Sequence, residues 1–425
     1  MTAAEQPVSR GWLASFALLG SVQNGLAPIL LPITAGSGAR AGLIYGAFAL
    51  AGLAAPVLGR WGDHHGRSLA VLVSGLVVGS LAGVGLGFVV WSQAVLPVAL
   101  ATSFMLGLGV SSAATAGSAV AIEAEPPSEA DSVIGAVQAW TSAGQVAGLI
   151  AAGLLAQRAP AIAFLVAAVA LAGAAVAILV RAPRPVRAIV RGTAQPRRAV
   201  GGEAATNAAG HGLHLPRLGA LLRGDVGNLL AFLGPWALSY TATNAVSVLF
   251  PVAMVRVFHL PATIPAVAYA IGIGVSLLIY GPATHWAHRA GASTVLRAGL
   301  AARVLPLVAM GLAVPFGGVW AAAVCLVAFA VMQALWPLLN VGGNAMAIAR
   351  LPHDRGEALG LFNASSSAAA VVGSLVGGAI AAIGGFGLLS GAGAVAVLAA
   401  WGLLRLQRTR EPVRPVATQL QNSAS

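Results

Sequence analysis

The chain has 425 residues, of which 58% are hydrophobic and only 8% are charged, and its formal net charge is +12. Soluble domains carry roughly 25% charged residues, so this composition excludes a soluble enzyme and indicates an integral membrane protein. The positive charge does not indicate a nucleic-acid binder, because the arginines lie between the apolar runs and near the C-terminus rather than in one basic patch.

The apolar runs are long and continuous, which favours membrane helices over the alternating strands of a membrane barrel. About 20 helical residues cross a hydrocarbon core. On that criterion the sequence predicts twelve transmembrane helices, at residues 12–34, 40–59, 68–90, 94–122, 132–156, 160–180, 227–254, 262–284, 293–314, 318–348, 357–382 and 386–405. The expected fold class is therefore an all-α integral membrane protein.

One stretch divides the predicted helices into two sets of six. Residues 181–226 are rich in Arg, Gly and Pro and contain no apolar span. They predict a cytoplasmic linker between an N-terminal half, residues 1–180, and a C-terminal half, residues 227–405, followed by a tail, residues 406–425. The linker arginines are expected either to contact anionic lipid or to remain solvated.

Orientation follows from the arginines, because positive residues in short loops stay on the cytoplasmic side. With twelve spans both termini lie on the same side, together with the linker and most of the arginines. Only Arg40, Arg158 and Arg256 fall on the opposite side. We therefore expect a multi-pass protein of the inner (plasma) membrane with both termini in the cytoplasm.

The two halves carry an internal repeat with a shift of 225 positions. Ser142 matches Ser367, and Gln138 matches Asn363, in helices 5 and 11. Such a repeat indicates duplication, with two parallel halves and a binding site between them. A stripe of small residues accompanies the repeat and predicts either sliding of the halves or static packing. The stripe comprises Gly144, Gly148 and Ala152 in helix 5, and Ala369, Gly373 and Gly377 in helix 11.

A charged turn between predicted helices 2 and 3 contains Gly59, Asp63, Gly66 and Arg67. Their spacing resembles the signature loop of the major facilitator superfamily of secondary transporters. The resemblance implies two pseudo-symmetric six-helix halves that rock around a central site. It also implies that this loop acts as a conformational switch. Glu123 and Glu125 lie at the cytoplasmic end of helix 4, where we expect them either to pair with Arg67 or to remain solvated.

Polar residues inside the spans are the candidate substrate site, since their exposure to hydrocarbon is costly. The resemblance implies that helices 1, 4, 7 and 10 line a cavity with help from helices 5, 8 and 11. Each amide can instead bond to a neighbouring helix. The candidates are Gln23, Asn24, Ser112, Thr115, Gln138, Trp140, Tyr240, Thr243, Asn244, Gln333, Trp336, Asn340, Asn344 and Asn363.

Ionisable residues are sparse within the spans. No Asp or Glu lies in the middle of a predicted span, so no acid suited to carry a coupling proton is evident. Arg303 lies about ten residues into helix 9, which the resemblance places at the periphery. We expect Arg303 to snorkel or to pair with a backbone carbonyl, and give less weight to an anion-binding role.

The sequence therefore predicts a secondary transporter that moves a small organic molecule by alternating access, with efflux as the favoured direction. The alternatives are uptake or facilitated diffusion of a neutral polar metabolite, and a non-transporting sensor or assembly partner on the same fold. Expected partners are the substrate, membrane lipid and protons as a candidate coupling ion, with the protein as a monomer. No motif indicates a catalytic residue, metal or cofactor, so we expect no enzymatic activity.

Overall fold

A computed structural model describes residues 10–54, 57–58, 61–62, 65, 67–93, 95–123, 130–181, 224–350 and 355–407. The regular secondary structure of these residues is entirely helical, with short turns between the helices. The predicted linker lies almost entirely outside the described residues, as do the C-terminal tail and three residues of the predicted switch loop, Gly59, Asp63 and Gly66.

The N-terminal helices are numbered in chain order. Helix α1 is built from four consecutive segments, and the third of them, Ser21–Leu26, is a π-helix. The complete α1 comprises Arg10–Ala14, Ser15–Gly20, Ser21–Leu26 and Ala27–Thr34. The following helices are α2 (Gly38–Leu50, extended by Ala51–Leu53), α3 (Ser68–Ser92), α4 (Leu96–Glu123), α5 (Ala130–Leu155) and α6 (Pro160–Arg181).

The C-terminal helices begin with α7 at Gly224–Arg256, which starts three residues before the predicted span. They continue with α8 (Thr263–Ala290), α9 (Ala292–Ala313) and α10, whose two segments are Gly318–Ala334 and Trp336–Arg350. One long helical stretch, Arg355–Leu406, is broken at Gly385, whose φ of 71° lies in the left-handed region that favours glycine. We number its parts α11 (355–384) and α12 (386–406).

The described part of the chain contains nine stretches that are long and apolar enough to cross a membrane. One of them, Gly360–Leu406, includes the break at Gly385 and thus holds two helices. The short apolar helix Gly38–Leu53 and α5 complete a set of twelve. The predicted all-helical membrane fold is confirmed.

Close backbone packing at glycines joins α1 to α5. Gly144 and Gly148 lie directly on the backbone of Ala17 and Ser21, and a Cβ atom at either glycine would overlap those backbone atoms. Without side chains, the two helix backbones approach closely enough for dense van der Waals contact.

The C-terminal half repeats this arrangement between α7 and α11. Gly373 packs on the backbone of Thr241, and Gly377 packs on Ala245. The stripe therefore joins helices of the same half. Its glycines do not form the sliding surface between halves that the sequence left open as one interpretation.

The two halves meet at the end of the bundle opposite the N-terminus. There α2 packs along α11, with Gly42 against Ser374 and Gly378. Helix α5 also contacts the start of α8, because the Thr263 hydroxyl donates a hydrogen bond of 3.2 Å to the Gly153 carbonyl. These contacts close one end of the space between the halves.

We expect Gly148→Ala to lower the melting temperature of the detergent-solubilised protein, because the added methyl group meets the backbone of Ser21. Overpacking of this kind costs about 1–3 kcal/mol. The matched control is Gly402→Ala, at a helical glycine with no atom within 4 Å of the added Cβ. The control should be neutral or slightly stabilising; equal melting temperatures for both variants would contradict this account of the packing.

Candidate functional site

A polar cavity of about 300 Å³ lies between the halves. Its wall combines residues from α1, α2, α5, α7, α8, α9 and α10. The N-terminal half contributes Asn24, Pro28, Tyr45, Gln138, Ser142 and Gln145. The C-terminal half contributes Tyr240, Thr243, Asn244, Ser247, Tyr269, Ile273, Ser276, Tyr280, Arg303, Gln333, Trp336 and Asn340.

The structure brings together many of the residues that the sequence singled out. The predicted residues that line the cavity are Asn24, Gln138, Tyr240, Thr243, Asn244, Gln333, Trp336 and Asn340. Asn24 lies in the π-helical segment of α1, a helix distortion that often occurs at functional sites. The Asn24 side chain has no hydrogen bond to any described residue, so its amide remains available to a ligand.

Other predicted site residues do not line the cavity. These are Gln23, Ser112, Thr115, Trp140, Asn344 and Asn363. The hydroxyl groups of Ser112 and Thr115 donate to the carbonyls of Leu108 and Ser111 in their own helix. The Asn344 amide donates to the Asn340 carbonyl, one turn back in the same helix, at 2.9 Å. Trp140 and Asn363 are exposed side chains.

Most of the tyrosines that line the cavity were not among the predicted site residues. The chain has four, and all of them line the cavity, although only Tyr240 was predicted. Tyr45, Tyr269 and Tyr280 are each surrounded in sequence by apolar residues, where a phenol hydroxyl needs a polar partner. A rare tyrosine within an apolar run is therefore a sequence signal that could have predicted a position in the cavity wall.

Aromatic side chains build one wall of the cavity in the C-terminal half. The ring centroids of Tyr240 and Trp336 are 5.8 Å apart in an edge-to-face arrangement. Trp236 packs behind Tyr240 at 5.8 Å and is fixed by a 2.9 Å hydrogen bond from its Nε1 to the hydroxyl of Ser366. The wall offers a substrate an apolar, polarisable surface whose position is set by buried neighbours.

Two amides of the wall already have protein partners. The Asn340 Nδ2 donates to the Tyr280 hydroxyl at 3.1 Å. The Asn244 Nδ2 donates to the Ala370 carbonyl at 3.0 Å and to the Ser374 hydroxyl at 3.3 Å. Asn244 thus joins α7 to α11 in addition to lining the cavity.

Arg303 of α9 is the charged residue of the cavity wall. It is 2% exposed, and its guanidinium carbon lies 5.5 Å from the centroid of the Trp336 ring. Its Nε has no hydrogen-bond partner among the described residues. Neither the expected snorkelling nor the expected backbone pairing is seen; the side chain lies in the wall of the central cavity.

The predicted switch loop is described only in part. Arg67 is exposed, and its backbone N–H donates to the Gly62 carbonyl at 2.7 Å just before α3 begins. Gly59, Asp63 and Gly66 lie outside the described residues, and so does the side chain of Glu123 at the end of α4. The predicted pairing of Arg67 with Glu123 therefore stays a prediction.

In the described part of the chain, no group of three or more His, Cys, Asp or Glu side chains could hold a metal ion. The cavity instead offers amides, phenols, hydroxyls, a tryptophan face and a guanidinium group. Such groups bind and orient a ligand by hydrogen bonding, ring contact and charge.

A polytopic helical bundle with a polar cavity between two halves, closed at one end, is the architecture of a membrane transporter. The chain belongs to the Major Facilitator Superfamily, whose family profile matches residues 12–341 and 236–424. The family predicted from the loop is thereby confirmed, and with it a transporter rather than an enzyme. No curated protein matches the sequence.

Solved structures show the same fold at low sequence identity. A nucleoside transporter, NupG in a D323A mutant, superposes with a TM-score of 0.72 and 12% identity, covering 93% of this chain and 99% of that one. An auto-inhibited peptide transporter of the POT family superposes with a TM-score of 0.71 at 15% identity, and the match covers 95% of this chain and 98% of that one. A bacterial homologue of the iron transporter ferroportin, in its inward-facing state, superposes with a TM-score of 0.68 at 16% identity, and the match covers 93% of this chain and 96% of that one.

We expect Asn244→Ala to lower the melting temperature of the solubilised protein, because it removes the bonds from α7 to α11. Interhelical bonds in membranes contribute about 0.6–2 kcal/mol. Asn24→Ala is the control, since the Asn24 amide contacts the same cavity but bonds to no described residue. Circular dichroism or scanning fluorimetry would measure both variants, and a larger loss for Asn24→Ala would contradict these assignments.

Proposed function

We propose that this transporter exports a small organic molecule across the inner (plasma) membrane by alternating access, with the substrate held in the central cavity. The single observation that carries the proposal is the cavity itself: a polar site enclosed at mid-bundle by both halves and closed at one end.

The arginine distribution supports an orientation with both termini in the cytoplasm. In that orientation the closed end, where α2 meets α11, faces away from the cytoplasm. The cavity is then positioned to receive a molecule from the cytoplasmic side and to release it when the halves rock apart at the closed end.

Export is supported by the resemblance of the loop from Gly59 to Arg67 to the superfamily signature. Uptake or facilitated diffusion remains the second candidate, favoured by the hydroxyl and amide groups of the wall, which suit a polar metabolite. The lining contains no Asp, Glu or His. The described lining therefore offers no carboxylate or imidazole to carry a coupling proton.

Alternating access can be tested with a disulfide across the closed end. The Cβ position at Gly38 lies 3.6 Å from the Cβ of Ala381, within the range of about 3.5–4.5 Å found in disulfides. We expect oxidised Gly38→Cys/Ala381→Cys to abolish flux in proteoliposomes and a reductant to restore it.

The flux assay uses vesicles loaded with a deproteinised aqueous metabolite extract, with the released compounds identified by mass spectrometry. Each single cysteine variant is a control, and native Cys325 is buried and should not react. Undiminished release through the cross-linked protein would refute rocking at this interface. To test direction, energised inverted vesicles should accumulate the transported compound, whereas accumulation by right-side-out vesicles would indicate uptake.

Orientation is tested by thiol labelling at exposed positions. We expect an impermeant maleimide to label Ser37→Cys and Arg158→Cys in intact cells, because both side chains are exposed at the end opposite the N-terminus. Ala290→Cys, exposed at the other end, should be labelled only after permeabilisation. Labelling of Ala290→Cys in intact cells, with protection of the other two, would reverse the orientation.

A further inference from the structure

Arg303 lies deep within the membrane part of the protein. It is the twelfth residue of α9, so about 1.5 Å of rise per residue places it roughly 17 Å from the start of that helix. That distance is about half of a hydrocarbon core of roughly 30 Å. An ionisable side chain at this depth is costly and marks a functional site by default.

Among the residues that the structure describes, none supplies a counter-ion to the positive charge of Arg303 in the cavity. No carboxylate belongs to the lining, and the acids of the described helices, Glu123, Asp131, Asp225 and Glu357, lie within the first or last turns. A buried ion without a partner costs several kcal/mol. The surrounding tyrosines are neutral phenols, which hydrogen-bond but do not neutralise the charge.

The guanidinium is placed as a ligand-binding group. It lies over the Trp336 ring at 5.5 Å, a contact that favours the cation. The N–H groups of a guanidinium lie in one plane and match the two oxygens of a carboxylate or phosphate. The Nε is itself buried and has no hydrogen-bond partner among the described residues, in a cavity-lining side chain that is 98% buried.

We propose that the transported substrate is a small organic anion whose carboxylate or phosphate binds Arg303; this rests on the proposed transport function. The anion supplies the missing counter-charge. The Trp336 and Tyr240 rings contact the body of the molecule, and Asn24, Gln138 and Gln145 across the cavity accept or donate hydrogen bonds to its polar groups. The volume of about 300 Å³ limits the substrate to a small molecule.

The melting temperatures of Arg303 variants distinguish a ligand-binding role of this side chain from a structural one. Because an unpaired buried charge destabilises the empty protein, Arg303→Met and Arg303→Gln should melt at or above the temperature of the wild type. The matched control is Arg297→Gln on the same helix, where the guanidinium is satisfied by the hydroxyl and carbonyl of Ser293. A sharp fall in melting temperature for both Arg303 variants would make Arg303 structural and overturn the proposal.

Flux of the metabolite extract supplies the second test. Wild-type vesicles should release compounds that carry a carboxylate or phosphate, and Arg297→Gln should release the same set. Arg303→Gln should lose that release, with the released anion binding about 30-fold or more weakly, as expected when one partner of a buried charge pair is removed. Arg303→Lys should retain part of that release, because the ammonium group keeps the positive charge but lacks the planar set of N–H donors of the guanidinium.

The outcomes distinguish the two proposals. Selective release of uncharged or cationic compounds, or unchanged release of anions by Arg303→Gln, would overturn the anion assignment and leave transport intact. If wild-type vesicles release nothing beyond the cross-linked Gly38→Cys/Ala381→Cys control, the transport function fails and the anion assignment fails with it.

Discussion

The structure depends on one constraint, which is that the hydrocarbon core offers no water to satisfy a polar group. Helices satisfy their own backbone, and most hydroxyl side chains do the same locally. Thr115 donates to the Ser111 carbonyl and Thr243 to the Ser239 carbonyl, each one turn back along the helix. Amides, phenols and a guanidinium have longer side chains and more donors than one such carbonyl can satisfy. All four tyrosines, Arg303 and several of the amides line the cavity where the two halves face each other.

That distinction explains how far the sequence could predict the site. The amides Asn24, Gln138 and Asn340 were predicted from their type, their depth and the helices that the resemblance turns inward, and all three line the cavity. Ser112 and Thr115 were grouped with them but do not line it, since a hydroxyl that bonds within its own helix carries no information about a cavity. Arg303 was expected to lie away from the cavity because the resemblance places helix 9 at the periphery. Its long side chain nevertheless brings the guanidinium group into the cavity wall.

The internal repeat predicted packing better than it predicted chemistry. Gly148 and Gly373 are equivalent in the repeat, and both place helix backbones in direct contact. Gln138 and Asn363 are also equivalent, yet only Gln138 lines the cavity. Backbone contact depends on the absence of a side chain, which any duplicated half must keep to fold. Site residues are free to diverge, and here the arginine and most of the aromatic groups lie in the C-terminal half.

Packing within and between the halves bears on how such a protein can move. Within each half, glycines allow backbone to press on backbone along α1 with α5 and along α7 with α11, so each half resists internal deformation. The closed end between the halves is also packed through glycine, since Gly42 lies on the backbone of Ser374. Two described hydrogen bonds join the halves there, from Thr263 to Gly153 and from the Ala262 N–H to Gln157.

Rocking as two bodies therefore requires the halves to separate at this contact while the contacts within each half are kept. The cavity wall is shared between the halves, so a ligand that contacts both walls has different contacts in each arrangement and biases the equilibrium between them.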